Sequence, residues 1–406
     1  MVLHGPPGTG KSELAREFAR RHRDTYPGGT FVVEAGKQAI VVDLARLGQV
    51  ALALDVPSAM PLEDQCLRTL SVLSAAPTLL IFDNVQAEDA VRPWLPPAGM
   101  PCHVIMTATL DRWDAGWLAL EVTPLSDEAS LELVKRISGN DVLTRYGKRL
   151  AQLAGGLPVQ LVPAATTLAY EARRGRLDAA SLTLTQEAQE SFRGVYRQLE
   201  TPGRLLLHAA ARLSPLRIPR EELQYHMLEA VGWSAGEFQR RLDACLDLHL
   251  LQGGTELRMH QLFAAFVLGT PVSEEMSAPL RQIARVQAMR LVEMARELAA
   301  SPTRADTAAK LMAFSPDPKR WDEWDAEVSI EDGEAVGRAL LEIGAFEAAR
   351  PWFERAAAEK ERGDVHGRVD HESIALSLRS GAQCLRQLGR HEEAALWEAQ
   401  ASDLQR

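Results

Sequence analysis

Gly5, Gly10, Lys11 and Ser12 stand in the spacing G-x-x-x-x-G-K-S, inside the run GPPGTGKS. Glycines let successive backbone N–H groups curl toward one point, and a helix that follows aims the positive end of its dipole at the same place. A lysine ammonium and a serine hydroxyl then supply a movable charge and a hard oxygen ligand, so the set suits phosphate oxygens and Mg2+. The expected phosphate-gripping residues are Gly5, Gly8, Thr9, Gly10, Lys11, Ser12 and Glu13, with Lys11 reaching the β and γ oxygens and Ser12 on the metal. Such a loop needs a carboxylate partner. The run TLLIFDNV at Thr78–Val85 reads as a buried strand ending in Asp83, placed to hold the magnesium shell. Lys11 and Asp83 are the candidate catalytic residues, and Ser12 and Asp83 the candidate metal ligands. The next residue is Asn84, whose amide cannot take a proton from attacking water as a carboxylate can. Hydrolysis is therefore expected to be slow unless Glu88 or Asp89 reaches in.

The elements that must position these residues follow from periodicity. Short apolar runs at Val2–His4, Thr30–Glu34, Thr78–Asp83, His103–Thr107 and Leu118–Val122 alternate with helical patterns at Glu13–His22, Ala39–Leu54 and Leu62–Leu73. That alternation predicts a parallel sheet covered by helices. After Pro124 the strands stop, and Ser126 to Gln189 reads as a small helical subdomain. It is punctuated by AGGLPVQL, where Gly155 and Gly156 end one helix and Pro158 begins the next. From Ser191 to Thr270, three helical patterns lead into HLLQGGTELRMHQLF. There Gly253-Gly254 predicts a tight hairpin with positive φ at both glycines, and helices followed by such a hairpin describe a winged helix. Helical text at Ser277–Ala300 precedes SPTRADTAAKLMAFSPDPKRWDEWD, whose Pro, Asp and Trp predict a linker of low regularity. Finally, GAFEAARPWFERA at Gly344–Ala356 matches GRHEEAALWEAQA at Gly389–Ala401, 45 residues later. Gly for the turn, Ala for close approach and Trp for the groove read as tetratricopeptide-like helical hairpins with a lengthened loop. Two visible units are few for a stack of this kind, so a missing partner is implied.

Composition narrows the remaining classes. A chain of 406 residues is long enough for several cores, and 46% hydrophobic with 25% charged residues is a globular balance. There is no apolar run long enough to span a bilayer and no export leader, so a cytoplasmic protein without a membrane partner is expected. Cys66, Cys102, Cys245 and Cys384 are far apart and form no CxxC, which predicts buried free thiols rather than disulfides or zinc ligands. A net charge of −10 lacks the broad positive field that nucleic-acid binding uses. The candidate recognition helix Gly236–Leu251 also mixes Arg240 and Arg241 with Glu237, Asp243 and Asp247, so DNA reading is not expected.

The ordered set GPPGTGKSELA, LLIFDNV, LEVTPLSDEAS, GGLPVQL and RMHQLFAAFV resembles the STAND class of signal-transduction ATPases with an NB-ARC core, over nearly the whole chain. The resemblance implies a multidomain α/β plus α architecture. Its parts are a P-loop NTPase sheet at 1–125, a helical subdomain at 126–190, a winged helix at 191–270, a helical linker at 271–330 and tetratricopeptide-like repeats at 331–406. It implies that Gly156, Leu157 and Pro158 pack against the base and sugar of ATP or ADP. It also implies that His260 reaches from the winged helix to the ADP β-phosphate and holds a closed form. Two departures stand out. The family's strand-four arginine is missing from VIMTATLDRW, where Thr107 and Thr109 are present and Arg112 is the nearest substitute. The family's adenine contacts lie upstream of the first strand, so here either the start is truncated or Leu157 and Pro158 supply them.

The leading expectation is an ATP/ADP switch with Mg2+, slow hydrolysis, a nucleotide-dependent homo-oligomer and a protein partner at the C-terminal repeats. A remodelling ATPase of the AAA+ kind with continuous turnover, and a nucleotide-independent interaction scaffold or transcriptional regulator built on the repeats, remain as alternatives. No effector unit is visible.

Overall fold

The computed structural model describes residues 1–36, 39–57, 60–110, 113–114, 116–173, 188–214, 217–301, 305–314, 328–363 and 368–405. Five strands, β1 (Val2–His4), β2 (Thr30–Glu34), β3 (Thr78–Val85), β4 (Cys102–Ala108) and β5 (Ala119–Glu121), form one sheet in the order β2-β3-β4-β1-β5. β1 runs parallel to both neighbours, with Leu3 opposite Thr107 on β4 and Leu120 on β5. Leu79, Leu80, Ile81 and Phe82 on β3 are all buried, which is why that strand lacks alternation. Helix α1 (Lys11–Arg21) lays Ala15 and Ala19 on Leu3, Leu79, Ile81 and Ile105. The parallel sheet read from the sequence is therefore present, with β3 and β4 extending one or two residues beyond the apolar runs.

By internal contacts the chain divides into two compact units. The first comprises Met1–Val32, Leu79–Ala87 and His103–Leu280. It contains α5 (Asp127–Ser138), α6 (Asn140–Leu153), α7 (Pro158–Arg173) and α8 (Ala188–Gln198). Ser126 caps α5 by accepting from the Ala129 N–H, and Val134, Leu150, Leu161, Ala165 and Leu168 make the subdomain core. Next come α9 (Thr201–Ala211), β6 (Ile218–Pro219), α10 (Arg220–Val231), α11 (Ala235–Asp247), β7 (Gln252–Gly253), β8 (Glu256–Arg258) and α12 (Gln261–Gly269). The order β6-β8-β7 of this small antiparallel sheet, set beside three helices, is that of a winged helix. The rings of Phe192, Phe263 and Phe266 pack together where α8 meets α12.

The hairpin differs in detail from its sequence signal. Gln252 lies opposite Arg258 and Gly253 opposite Leu257, so residues 254–256 make the connection, and positive φ occurs at Gly253 but not at Gly254. A Cβ on Gly253 would stand 2.1 Å from the Glu256 carbonyl oxygen, so close approach as well as φ requires glycine there.

The second unit comprises Val33–Thr78, Glu88–Cys102 and Arg281–Arg406. Its α2 (Ala39–Arg46) gives way to a π-helical turn at Leu47–Ala51 rather than continuing to Leu54. There a Cβ on Gly48 would sit 2.1 Å from Thr69 Oγ1 of α3 (Leu62–Leu73). The short α4 (Glu88–Val91) follows β3 in sequence, and α13 (Glu274–Ala300) leads into the C-terminal region. The stretch read as an irregular linker contains α14 (Ala305–Phe314), with Ala305, Ala308, Leu311 and Phe314 buried. Alanines at helical spacing outweighed the flanking prolines. Two hairpins close the chain, α15 (Ile330–Glu342) with α16 (Phe346–Glu361), and α17 (His371–Gln387) with α18 (His391–Asp403). Gly344 and Gly389 turn them with φ near 77° and 72°. Within this unit α14 packs on α15 and on α2, with Arg46 bonding Asp306 at 3.2 Å.

Candidate functional site

The phosphate loop runs from β1 into α1. Gly5, Gly8 and Gly10 have φ of 139°, 84° and 92°, values that L side chains avoid. Space demands glycine as well, since a Cβ would stand 2.5 Å from Val122 O at Gly5 and 2.4 Å from Val159 Cγ1 at Gly8. Thr9 Oγ1 donates to the Pro6 carbonyl and stiffens the loop. Leu14 N–H closes the first helical bond on Gly10 O, so the amides of Lys11, Ser12 and Glu13 precede any intrahelical partner and open toward an anion. Lys11 is buried and folds its ammonium back onto the Gly5 and Pro6 carbonyls at 2.8 and 2.7 Å. Burial lowers its pKa, and Asp83 pulls in the opposite direction. A phosphate would meet the same need for negative charge.

Asp83 is the hub. Its Oδ1 accepts from Ser12 Oγ at 2.6 Å and from Thr107 Oγ1 at 2.5 Å, while Oδ2 takes the Arg16 guanidinium at 2.6 Å. Strand order explains the meeting: β4 separates β1 from β3 and brings Thr107 alongside Asp83. Asn84 follows in the left-handed region at φ 66°, and its N–H donates to Thr107 Oγ1. Asn tolerates that conformation better than most residues, which gives the amide at this position a backbone reason. Glu88 and Asp89 both engage Arg92, at 2.6 and 3.8 Å.

The Gly-Leu-Pro turn reaches the loop. Val159 N–H donates to Gly8 O at 3.3 Å, and Pro158 Cγ lies 3.9 Å from the place a Cβ would take on Gly10. Gly156, at φ 71°, allows its own O to accept from Leu125 N–H at 2.8 Å, and a Cβ there would strike Leu125 O. Leu157 is half-buried at the start of this turn. His260 caps α12, with Nδ1 accepting from Leu262 N–H at 3.3 Å, which leaves the proton on Nε2 free to donate outward. Although the residue is exposed, desolvation by neighbouring protein lowers its pKa.

Two arginines were not among the site residues expected from the sequence. Arg16 sits one helical turn after Ser12, on the same face, and bonds both Asp83 and Glu13. Arg258 ends the wing strand β8, two positions before the α12 cap His260. Burial and then Arg16 lower the Arg258 pKa, while Glu13, Asp83 and Glu256 oppose them. Arg112 lies outside the described residues.

The glycine-lined cradle, the orphan amides, Lys11 and the Ser12–Asp83 pair fit a nucleotide polyphosphate with Mg2+, an ion that takes one or two protein oxygens and completes its shell with phosphate and water. Among the described residues no cluster of three or more His, Cys, Asp or Glu could hold a metal by itself, and no helix is long and apolar enough to cross a membrane. No family model and no curated protein matches the chain. Among solved structures, it is similar to a STAND protein with a tetratricopeptide repeat sensor from Pyrococcus horikoshii, at 14% identity over 99% of this chain and 71% of that one, with a TM-score of 0.45. It is also similar to Cdc6p from Pyrobaculum aerophilum, at 14% identity over 66% and 86% of the two chains, and to a Walker-type ATPase of Pyrococcus abyssi, at 14% over 66% and 90%, each with a TM-score of 0.34.

Proposed function

We propose that this chain is an ATP/ADP-dependent molecular switch. The observation that carries the reading is the convergence of Lys11, Ser12 and Asp83 on a glycine cradle whose φ angles and clearances exclude other residues. In this reading the amides of Gly8 to Glu13 hold the phosphates, and Lys11 leaves its two carbonyls for the β and γ oxygens. Ser12 and Asp83 hold Mg2+, which neutralises phosphate charge when bound. Pro158 and Leu157 cover the base side, and His260 offers its Nε2–H to the β-phosphate. The winged helix would then differ in position between nucleotide states, and a ligand biases such an equilibrium only through differential contacts. Asn84 provides no base, so turnover is slow. The C-terminal hairpins would receive a protein signal, and the chain would form a homo-oligomer in one nucleotide state, within the cytoplasm and without nucleic acid as ligand.

Purified protein should carry ADP near one per chain and turn over less than about once per minute. Many cycles per minute would instead identify a remodelling motor. In His260→Ala the ADP off-rate should rise several-fold; an unchanged off-rate removes His260 from the relay.

A further inference from the structure

Lys11 and Asp83 are buried opposite charges brought near each other by the chain, since Ser12, the residue after Lys11, donates to Asp83 Oδ1 at 2.6 Å. Buried charges of opposite sign ordinarily pair. Here the Lys11 ammonium instead bonds the Gly5 and Pro6 carbonyls at 2.8 and 2.7 Å, within the phosphate loop itself. Asp83 is occupied elsewhere. Its Oδ1 also accepts from Thr107 Oγ1 at 2.5 Å, and its Oδ2 holds the Arg16 guanidinium at 2.6 Å, where only 7% of the Asp83 side chain and 22% of the Arg16 side chain are exposed. Arg16 is fixed in turn from its other arm, because Nη1 bonds Glu13 Oε1 at 3.0 Å while Nη2 takes Asp83. Ser12 and Arg16 are four apart on α1, so one helix face supplies a donor to each oxygen of this carboxylate. Removing the arginine would leave a buried carboxylate without its counterion, and the cation next to its Ser12 contact is Lys11.

We propose that Arg16 is a positioning residue that holds the Asp83 carboxylate on Ser12 and off the Lys11 ammonium, so that Lys11 stays available to phosphate. The assignment rests on the nucleotide-binding reading of this site and adds to it the reason an arginine stands one turn after Ser12. Without Arg16 the carboxylate turns to Lys11, and an arriving phosphate must first break that ion pair. Lysine at this position keeps the charge but lacks the planar fork that spans Glu13 and Asp83 together, so it replaces arginine only in part.

The test is a double-mutant cycle on ADP binding to the nucleotide-stripped full chain in EDTA, so that no metal contributes. Arg16→Met should weaken ADP by about tenfold or more, with Arg16→Lys between it and the wild type. In an Asp83→Asn background no carboxylate is left to capture Lys11, and there Arg16→Met should change the affinity by less than about threefold. A loss of equal size in both backgrounds means that Arg16 acts on the phosphate directly or only on the fold, and overturns the assignment. An unchanged affinity in a folded Arg16→Met overturns it as well. Urea unfolding checks each variant; if Arg16→Met does not fold, Arg16→Gln, whose amide can still donate to Asp83 but carries no charge, takes its place in the same cycle. Wild-type binding that appears only with Mg2+ also overturns the assignment, because Lys11 would then not be available by itself. No ADP binding by the wild type, with or without Mg2+, overturns the nucleotide reading and this assignment with it.

Discussion

Asp83 accepts from Ser12, Thr107 and Arg16 at once, and this one carboxylate sets the electrostatics of the candidate site. Asp83→Asn keeps the shape and removes the charge. Mg2+ should then cease to strengthen ADP binding, as read by titration calorimetry with and without chelator; an undiminished magnesium effect contradicts its place in the metal shell. A second residue-scale expectation concerns His208, buried beside Tyr196, whose OH lies 2.9 Å from Nε2. Burial first, and then Arg212, push its pKa down to about 4. The unfolded imidazole titrates near its ordinary value, so the unfolded chain binds the extra proton in between. Stability is full above about pH 6.5 and is lost as pH falls toward 4, by up to about 3 kcal/mol. Urea unfolding at pH 7.5 and 5 measures this, and His208→Gln should flatten the difference. Lys11, Ser12 and Asp83 were legible in the sequence because their spacing and the apolar run before Asp83 are informative by themselves. Arg16 was not, since a single arginine gains meaning only when the chain brings Asp83 beside it.

At the scale of elements, glycines mark where backbone or ring approaches too closely for a side chain. A Cβ on Gly381 of α17 would lie 2.0 Å from the Trp397 ring of α18. Gly381→Ala should therefore cost about 1–3 kcal/mol through overpacking, visible as a lowered melting temperature; a neutral result would mean that α18 shifts freely. The same hairpins are tied by Lys360, which bonds Glu334 at 2.6 Å and Ser377 Oγ at 3.0 Å and so links α15, α16 and α17. The repeat was readable from Gly, Ala and Trp at matched positions, but Gly381 was not among them, because its partner ring belongs to another helix. The hairpin turn shifted for a related reason. Gly-Gly signals a tight turn, yet the register of β7 against β8 uses only Gly253 for positive φ. In α2 helical periodicity ran to Leu54, whereas contact between Gly48 and Thr69 accompanies a π turn there.

On the scale of the whole molecule, the chain distributes its work between units that each bury a core. All four cysteines are buried, with thiol pKa values raised by burial to about 12 for Cys66, Cys245 and Cys384 and about 11 for Cys102. They should react with thiol reagents only as the protein unfolds. The parallel sheet, helical subdomain, winged helix and terminal hairpins followed from periodicity and turn residues, whereas α14 was hidden among prolines. Its role is legible only in three dimensions, as the helix that joins α2 to the hairpin stack within the second unit. The central claim is that the glycine cradle holds a nucleotide through Lys11 and Mg2+. Titration of ADP into nucleotide-stripped protein, wild type beside Lys11→Ala, tests it most directly. The expected result is one magnesium-dependent site in the wild type, weakened about a hundredfold or more in the variant. Equal affinity in both proteins, or no binding to the wild type, would contradict it.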